Sequence, residues 1–343
     1  MSTLSLLHIP AKQSWQSQLQ SAYRSPEALA SALGLRISEL PYSTVGAQQF
    51  PLLVPQAYVE RMEPGDPNDP LLRQVLATLD EEQLADGFSK DPVGETSLYA
   101  KDPGLLQKYR GRALLIATSQ CAINCRYCFR RHYPYEDNRN SSSQRKKLLS
   151  ELLDDRSLRE ILLSGGDPLV LPDHQFADIS AQIADRRPDV ILRVHTRLPI
   201  VIPDRVTDEF LKAIDTPGGT VVVVHGNHPR EIDDATANAL KRLADSGLTV
   251  LNQSVLLAGI NDNAQTLAEL SDRLFAAGAL PYYLHMLDPV QGASHFDVSE
   301  AQARRIAGEL ATLRPGYLVP RLVREVPGAG SKQQLLPAYP TER

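Results

Sequence analysis

From about residue 110 onward, short apolar runs alternate with amphipathic stretches, and this alternation constrains the fold more than any other feature of the chain. The runs are Ala113–Thr118, Glu160–Ser164, Val190–His195, Thr220–His225, Leu248–Leu257 and Leu280–Leu287. Between and after them lie helical patterns at Ser142–Leu153, His174–Ala184, Val206–Ile214, Glu231–Asp245, Ala264–Ala277 and Ser299–Leu313. Strand-then-helix units repeated six times indicate a parallel sheet with helical crossovers. Such a sheet either stays open and doubly wound or closes towards a barrel. Both hold ligands at the carboxyl ends of their strands.

Residues 1 to about 105 read as a helical region capping the domain that follows. Ser14–Leu33 has the pattern of a helix pair broken near Ser25-Pro26. Past the turn-rich Pro64–Pro70, Leu71–Asp80 reads as a helix with Asp69 as its N-cap. No catalytic constellation stands out there. Hydrophobic content of 42% suits a packed core and excludes global disorder. A net charge of −5 speaks against a nucleic-acid surface. The opening MSTLSLLHIPAKQSWQSQLQ lacks a basic segment followed by a long apolar one, and no run approaches the roughly 18 apolar residues of a membrane span. The expectation is a cytoplasmic protein with neither nucleic-acid nor membrane partners.

All three cysteines, Cys121, Cys125 and Cys128, fall within eight residues as C-x3-C-x2-C, directly after the first apolar run. Three is an odd number and the thiols are bunched, which disfavours a disulfide framework. A zinc site with His132 as fourth ligand is one alternative. An all-cysteine iron–sulfur site would need a fourth cysteine, so a four-iron cluster here would keep one iron open for a ligand from outside the protein. The pattern resembles the signature of the radical S-adenosylmethionine (SAM) enzymes. That resemblance implies a partial (β/α)6 TIM-like barrel, a [4Fe-4S] cluster whose open iron chelates SAM, and an external one-electron donor, flavodoxin-like or ferredoxin-like.

Other motifs gather at the expected carboxyl ends. Ser164-Gly-Gly-Asp-Pro168 ends the second strand, and a glycine pair lets backbone come close to a ligand. His225-Gly-Asn-His-Pro229 follows the fourth strand. Asn252-Gln-Ser254 puts polar groups within the fifth, where each needs a partner from the protein or a ligand. Glu325-Val-Pro-Gly-Ala-Gly-Ser-Lys332 does not meet the phosphate-loop pattern. Read from spacing alone, it is a surface turn ending in a solvated lysine.

Taken together, CRYCFRR, SGGDP, RLPIVIPDRVT, NHPRE, NQSVLLAGIND, PYYLHMLD, GASHF and PGAGSK are similar, in order and spacing, to the lysine 2,3-aminomutases. The resemblance implies that Cys121, Cys125 and Cys128 hold the cluster and that Gly165, Gly166, Asp167, His225 and Gln253 meet SAM. It implies that Lys332 carries pyridoxal 5′-phosphate (PLP), with Arg112 at the PLP phosphate. Arg130 then binds the substrate carboxylate, and Asp288 with Glu325 the distal ammonium of free L-lysine. Glu325 stands where the clostridial-type enzymes have Asp, and the extra cysteines and C-terminal extension of the longer enzymes are absent. The short form resembles the aminomutase whose β-lysine a separate ligase joins to elongation factor P. Expected boundaries are 1–105 for the helical region, 106–316 for the barrel and 317–343 for the lysine-bearing segment. Rival expectations are a glutamate-type aminomutase and a noncatalytic iron–sulfur protein that binds the factor or its ligase.

Overall fold

The computed structural model describes residues 14–96, 104–133 and 141–340. The first thirteen residues of the opening segment, on which the absence of a leader was read, lie outside the described residues.

One nine-stranded sheet organises the chain, with strands in strict sequence order. They are β1 (Leu105–Leu106), β2 (Arg112–Thr118), β3 (Glu160–Gly165), β4 (Ile191–Thr196), β5 (Thr220–Val224), β6 (Thr249–Val255), β7 (Leu280–His285), β8 (Arg321–Arg324) and β9 (Gln333–Gln334). Strands β2 to β8 are parallel, and the two-residue strands β1 and β9 pair antiparallel at the edges. The six expected strands are β2 to β7. The further apolar stretch Tyr317–Arg324 contributes β8, so the parallel array has seven members. The result is a partial TIM-like barrel.

Most crossover helices begin at a side-chain cap. Ser141, Thr207, Asp233, Asn263 and Ser299 each accept a hydrogen bond from the backbone N–H three residues on, which satisfies one orphan donor per helix. The outer face of the sheet is the apolar one. Ile161, Leu163, Leu192, Val194, Val222, Val224 and Val250 join the helices in one large buried cluster. Trp15, Leu29, Tyr58 and Leu72 of the N-terminal region belong to the same cluster.

Pairing register places Arg112, Glu160, Ser164, Arg193, His195, Gln253, Tyr283 and His285 on the opposite, inner face. That face is polar. An inner face carrying polar groups, backed by an apolar outer one, suits a ligand-holding barrel.

The helix expected over Leu71–Asp80 is much shorter. Asp69 caps it as anticipated, accepting from Leu71 and Leu72 N–H at 2.8 and 2.9 Å, but only Pro70–Arg73 is helical, followed by a 3₁₀ turn at Leu79–Glu82. The cause is competition for carbonyls. Gln74 O accepts from Arg126 N–H of the cysteine loop, and Ala77 O from Ser43 N–H, so neither serves a longer helix.

Candidate active site

The three cysteines lie on the loop after β2, all half-buried and none in a disulfide. Burial first, and the neighbouring thiols second, push the Cys128 thiol up to about 11, and Cys121 rises for the same reasons. Crowded, desolvated thiols are a poor place for negative charge unless a cationic centre sits among them. Among the described residues no three His, Cys, Asp or Glu side chains converge on a single ion. His132 Nε2 instead lies 3.1 Å from Gln291 O. With His132 Nε2 on that carbonyl, the fourth ligand of the zinc alternative is engaged elsewhere, which leaves three thiols on the loop.

The loop is held from the N-terminal region, where sequence reading found no constellation. Arg126 donates to Glu81 through Nε at 2.7 Å and Nη2 at 2.5 Å, and Arg131 Nη2 reaches the same carboxylate at 2.6 Å. All three side chains are buried. The glycine pair supports the loop from the other side. A Cβ at Gly166 would meet Gln120 O at 2.2 Å, and one at Gly165, whose φ is +120°, would meet Thr118 O at 2.5 Å. The close backbone approach read from Gly165-Gly166 is thus an approach to the cysteine loop. Asp167 clasps β3 to β4: Oδ1 accepts from Thr196 Oγ1 (2.6 Å) and Leu169 N–H (3.0 Å), Oδ2 from Arg197 N–H (2.7 Å).

The Asn-Gln-Ser set divides between the two faces. Asn252 and Ser254 point outward and bind both backbone groups of Gly226. Gln253 points inward, with Nε2 at 3.5 Å from His195 Nδ1. His225 Nε2 lies 2.9 Å from Tyr127 Oη, and burial followed by the Arg197 charge lowers it to about 3, so it is neutral. His195 and His285 are also kept neutral, chiefly by burial, and the Nε2 of each is buried without a partner among the described residues. Orphaned polar atoms on an inner face are the mark of a ligand site.

Arg130 is already engaged. Nε and Nη2 donate to Glu95 at 2.8 and 3.1 Å, and Nη1 to Ser164 Oγ at 3.1 Å and Gly165 O at 3.4 Å. Burial alone would raise Glu95, but Arg130 and Lys108 hold it down at about 2. Lys332 Nζ donates to Glu325 Oε2 at 2.7 Å, and Tyr109 Oη donates to Glu325 Oε1, also at 2.7 Å. Asp288 belongs to the same group: burial pushes it up to about 6 against the pull of Lys332, with Glu325 adding to the rise. Sequence order had separated Asp288 from the motif that holds Glu325 and Lys332; in the fold their charges act on one another. Arg112 sits apart, on the inner face but at the amino end of β2, half-exposed and 3.5 Å from Glu160. Arg193 shares that carboxylate.

Comparison with known proteins bears directly on this arrangement. Residues 115–271 match the Radical SAM superfamily model. The L-lysine 2,3-aminomutase of Escherichia coli strain K12 is 44% identical over 337 residues, 98% of each chain. The enzyme of the same name from Haemophilus influenzae is 45% identical over 94% of this chain and 96% of its own. This chain belongs to the lysine 2,3-aminomutases. The family also includes the longer Clostridium subterminale enzyme, 30% identical over 95% of this chain and 78% of its own.

As a lysine 2,3-aminomutase the protein is a radical SAM isomerase, and its cofactors are a [4Fe-4S] cluster, SAM and PLP. The donor set fits them: three free thiols on one loop, orphaned imidazole nitrogens on the inner face, and a lysine amine held among carboxylates. Among the described residues no helix is long and apolar enough to cross a membrane.

Sequence reading missed Glu81, Glu95, Lys108, Tyr109, Arg197 and the two inner-face histidines. Arg197 at least stood inside a quoted motif, RLPIVIPDRVT, where a charge at a strand end among apolar residues was a visible signal.

Proposed function

We propose that this aminomutase interconverts (S)-α-lysine and (R)-β-lysine, with Lys332 carrying PLP, and that its product feeds a separate ligase acting on elongation factor P. The observation that carries the reaction is identity of 44–45%, over nearly the whole chain, to enzymes of that name. Support for the substrate comes from charge. A guanidinium at Arg130 suits an amino-acid carboxylate, and two carboxylates beside Lys332 suit a second, distal ammonium. A glutamate substrate would meet repulsion from Asp288 and Glu325, which disfavours that rival.

When bound, the cluster with SAM supplies a carbon radical able to take hydrogen from an unactivated carbon, and PLP lets nitrogen move between neighbouring carbons. The chain's residues supply position. Glu95 fixes the plane of the Arg130 guanidinium, and a substrate carboxylate would replace Ser164 Oγ and Gly165 O as the acceptors of Nη1. Tyr109 fixes Glu325. Neutral His195 and His285 offer hydrogen bonds without adding positive charge beside Lys332. Arg112 and Arg193 together outweigh Glu160, which leaves net positive charge suited to a phosphate at that end.

The deciding experiment is anaerobic incubation with SAM, PLP, dithionite and lysine. β-Lysine should form; formation of β-glutamate from glutamate instead would overturn the substrate assignment. For the destination, elongation factor P should gain β-lysine in a mixture with its ligase only when this enzyme is active and lysine is supplied.

A further inference from the structure

Arg197, the residue after β4, is buried, and its guanidinium sits against the cysteine loop. Nη1 lies 2.7 Å from Cys125 Sγ and 2.7 Å from Tyr127 Oη. Nη2 donates to Glu231 at 2.8 Å, Gln74 at 2.8 Å and Tyr58 at 3.1 Å. Its backbone N–H is tied to Asp167. Its Nε is buried without a partner among the described residues. So many fixed contacts leave the guanidinium little freedom to leave Cys125.

We propose that Arg197 is a positioning residue for the iron–sulfur cluster, whose charged N–H···S bond to Cys125 raises the cluster's reduction potential. The inference rests on Cys125 being a cluster ligand. Hydrogen bonds to the ligating sulfurs and nearby charge are principal determinants of such potentials. One-electron reduction adds a negative charge to the cluster and its thiolates. A guanidinium donating to one of those thiolates stabilises the reduced form more than the oxidised one. Glu231 offsets part of the cation's field, but it lies on the Nη2 side while Nη1 faces the sulfur. The electron comes from an external low-potential one-electron donor, and Arg197 sets how far that donor can reduce the cluster before SAM is cleaved. No proton need move, since an arginine stays protonated throughout.

The first test uses the wild-type chain. Protein containing arginine labelled with 15N in the guanidinium only, so that the backbone N–H of Arg130 on Cys128 stays silent, with the cluster reconstituted anaerobically and reduced, should show a weak 15N hyperfine coupling in pulsed paramagnetic resonance. The coupling should vanish in Arg197→Lys. Its absence from the wild type would overturn the proposal, whatever the variants do. The second test measures the midpoint potential of the Arg197→Gln/Glu231→Gln double variant, which avoids stranding a buried carboxylate. At full iron and sulfide content, the one-electron reduction equilibrium should fall at least tenfold, which is 59 mV. An unchanged midpoint would likewise refute the tuning role. Should the double variant fail to retain its cluster, the 15N coupling in the wild type decides the proposal by its presence or absence. Wild-type protein that took up no iron would instead refute the cluster assignment itself.

Discussion

Glu95 is a buried carboxyl and Asp288 a half-buried one, and their surroundings drive them in opposite directions. Burial raises Asp288 to about 6, so the folded state binds its proton more tightly than the unfolded chain does. Stability from this group is present at low pH and is lost as pH rises through about 6, by on the order of 2–3 kcal/mol in all. Asp288→Asn should therefore be more stable than wild type at pH 8 by roughly that amount in thermal unfolding. The same substitution should cost lysine turnover about 30- to 150-fold in kcat/KM, the equivalent of roughly 2–3 kcal/mol of lost attraction to the distal ammonium. It should also remove a rise in wild-type kcat/KM through about pH 6. Norleucine, without that ammonium, should be poor throughout and little affected. Equal losses on lysine and norleucine would mean that Asp288 serves the fold.

Glu95 is held down at about 2 by Arg130 and Lys108, despite burial. Its stabilisation is present above about pH 4.5 and disappears as pH falls towards 2. Glu95→Gln should lose about 3 kcal/mol at pH 7 and flatten the acid limb of the stability profile. Because Glu95 also fixes Arg130, the variant should raise KM for lysine at least tenfold. An unchanged KM would show that Arg130 is oriented without it.

Among the elements, the cysteine loop matters most, because it is held from two sides by groups remote in sequence. Glu81 pairs with both Arg126 and Arg131, all three buried. Breaking a buried ion set by removing one partner costs about 3–5 kcal/mol. Glu81→Gln should destabilise by that order and lower iron retention after reconstitution, measured by denaturant unfolding and iron analysis on the same sample. Gly166→Ala attacks the other side, where a methyl group would overlap Gln120 O. It should lose iron in the same way, although no charge changes. Normal iron content in both variants would mean that the loop holds its shape without these supports.

Over the whole molecule, the open barrel ends in an edge strand directly beside Lys332, the proposed PLP lysine. β9 begins at the next residue and pairs with β8, and Leu335 is buried behind it. The tail beyond packs so tightly on the helix Glu300–Leu313 that a Cβ at Gly308 would meet Ala338 O at 2.0 Å. Gly308→Val should push the tail off and loosen the Lys332 segment. Borohydride should fix PLP to Lys332 in wild type, as peptide mapping would show, and several-fold less in Gly308→Val, with the cluster intact in both. Full trapping in the variant would separate the tail from the lysine's placement.

Six strands, the helices between them and the cysteine triad were legible in the sequence, whereas the roles of Lys332, Asp288 and Glu325 came from the family resemblance alone. Strands, helices and triad are local properties. Apolar period, capping residues and motif spacing act within a few residues, and their energies scarcely depend on distant parts of the chain. Tertiary structure alone decided which charges meet. Glu81 with Arg126, Glu95 with Arg130, Tyr109 with Glu325 and Arg197 with Cys125 are separated by 45, 35, 216 and 72 residues. It also cut short the helix after Asp69, by giving its carbonyls to other segments. Ion pairs and hydrogen bonds act over a few ångströms, so they come into being only when the fold brings strand ends and loops together, and no local pattern announces them.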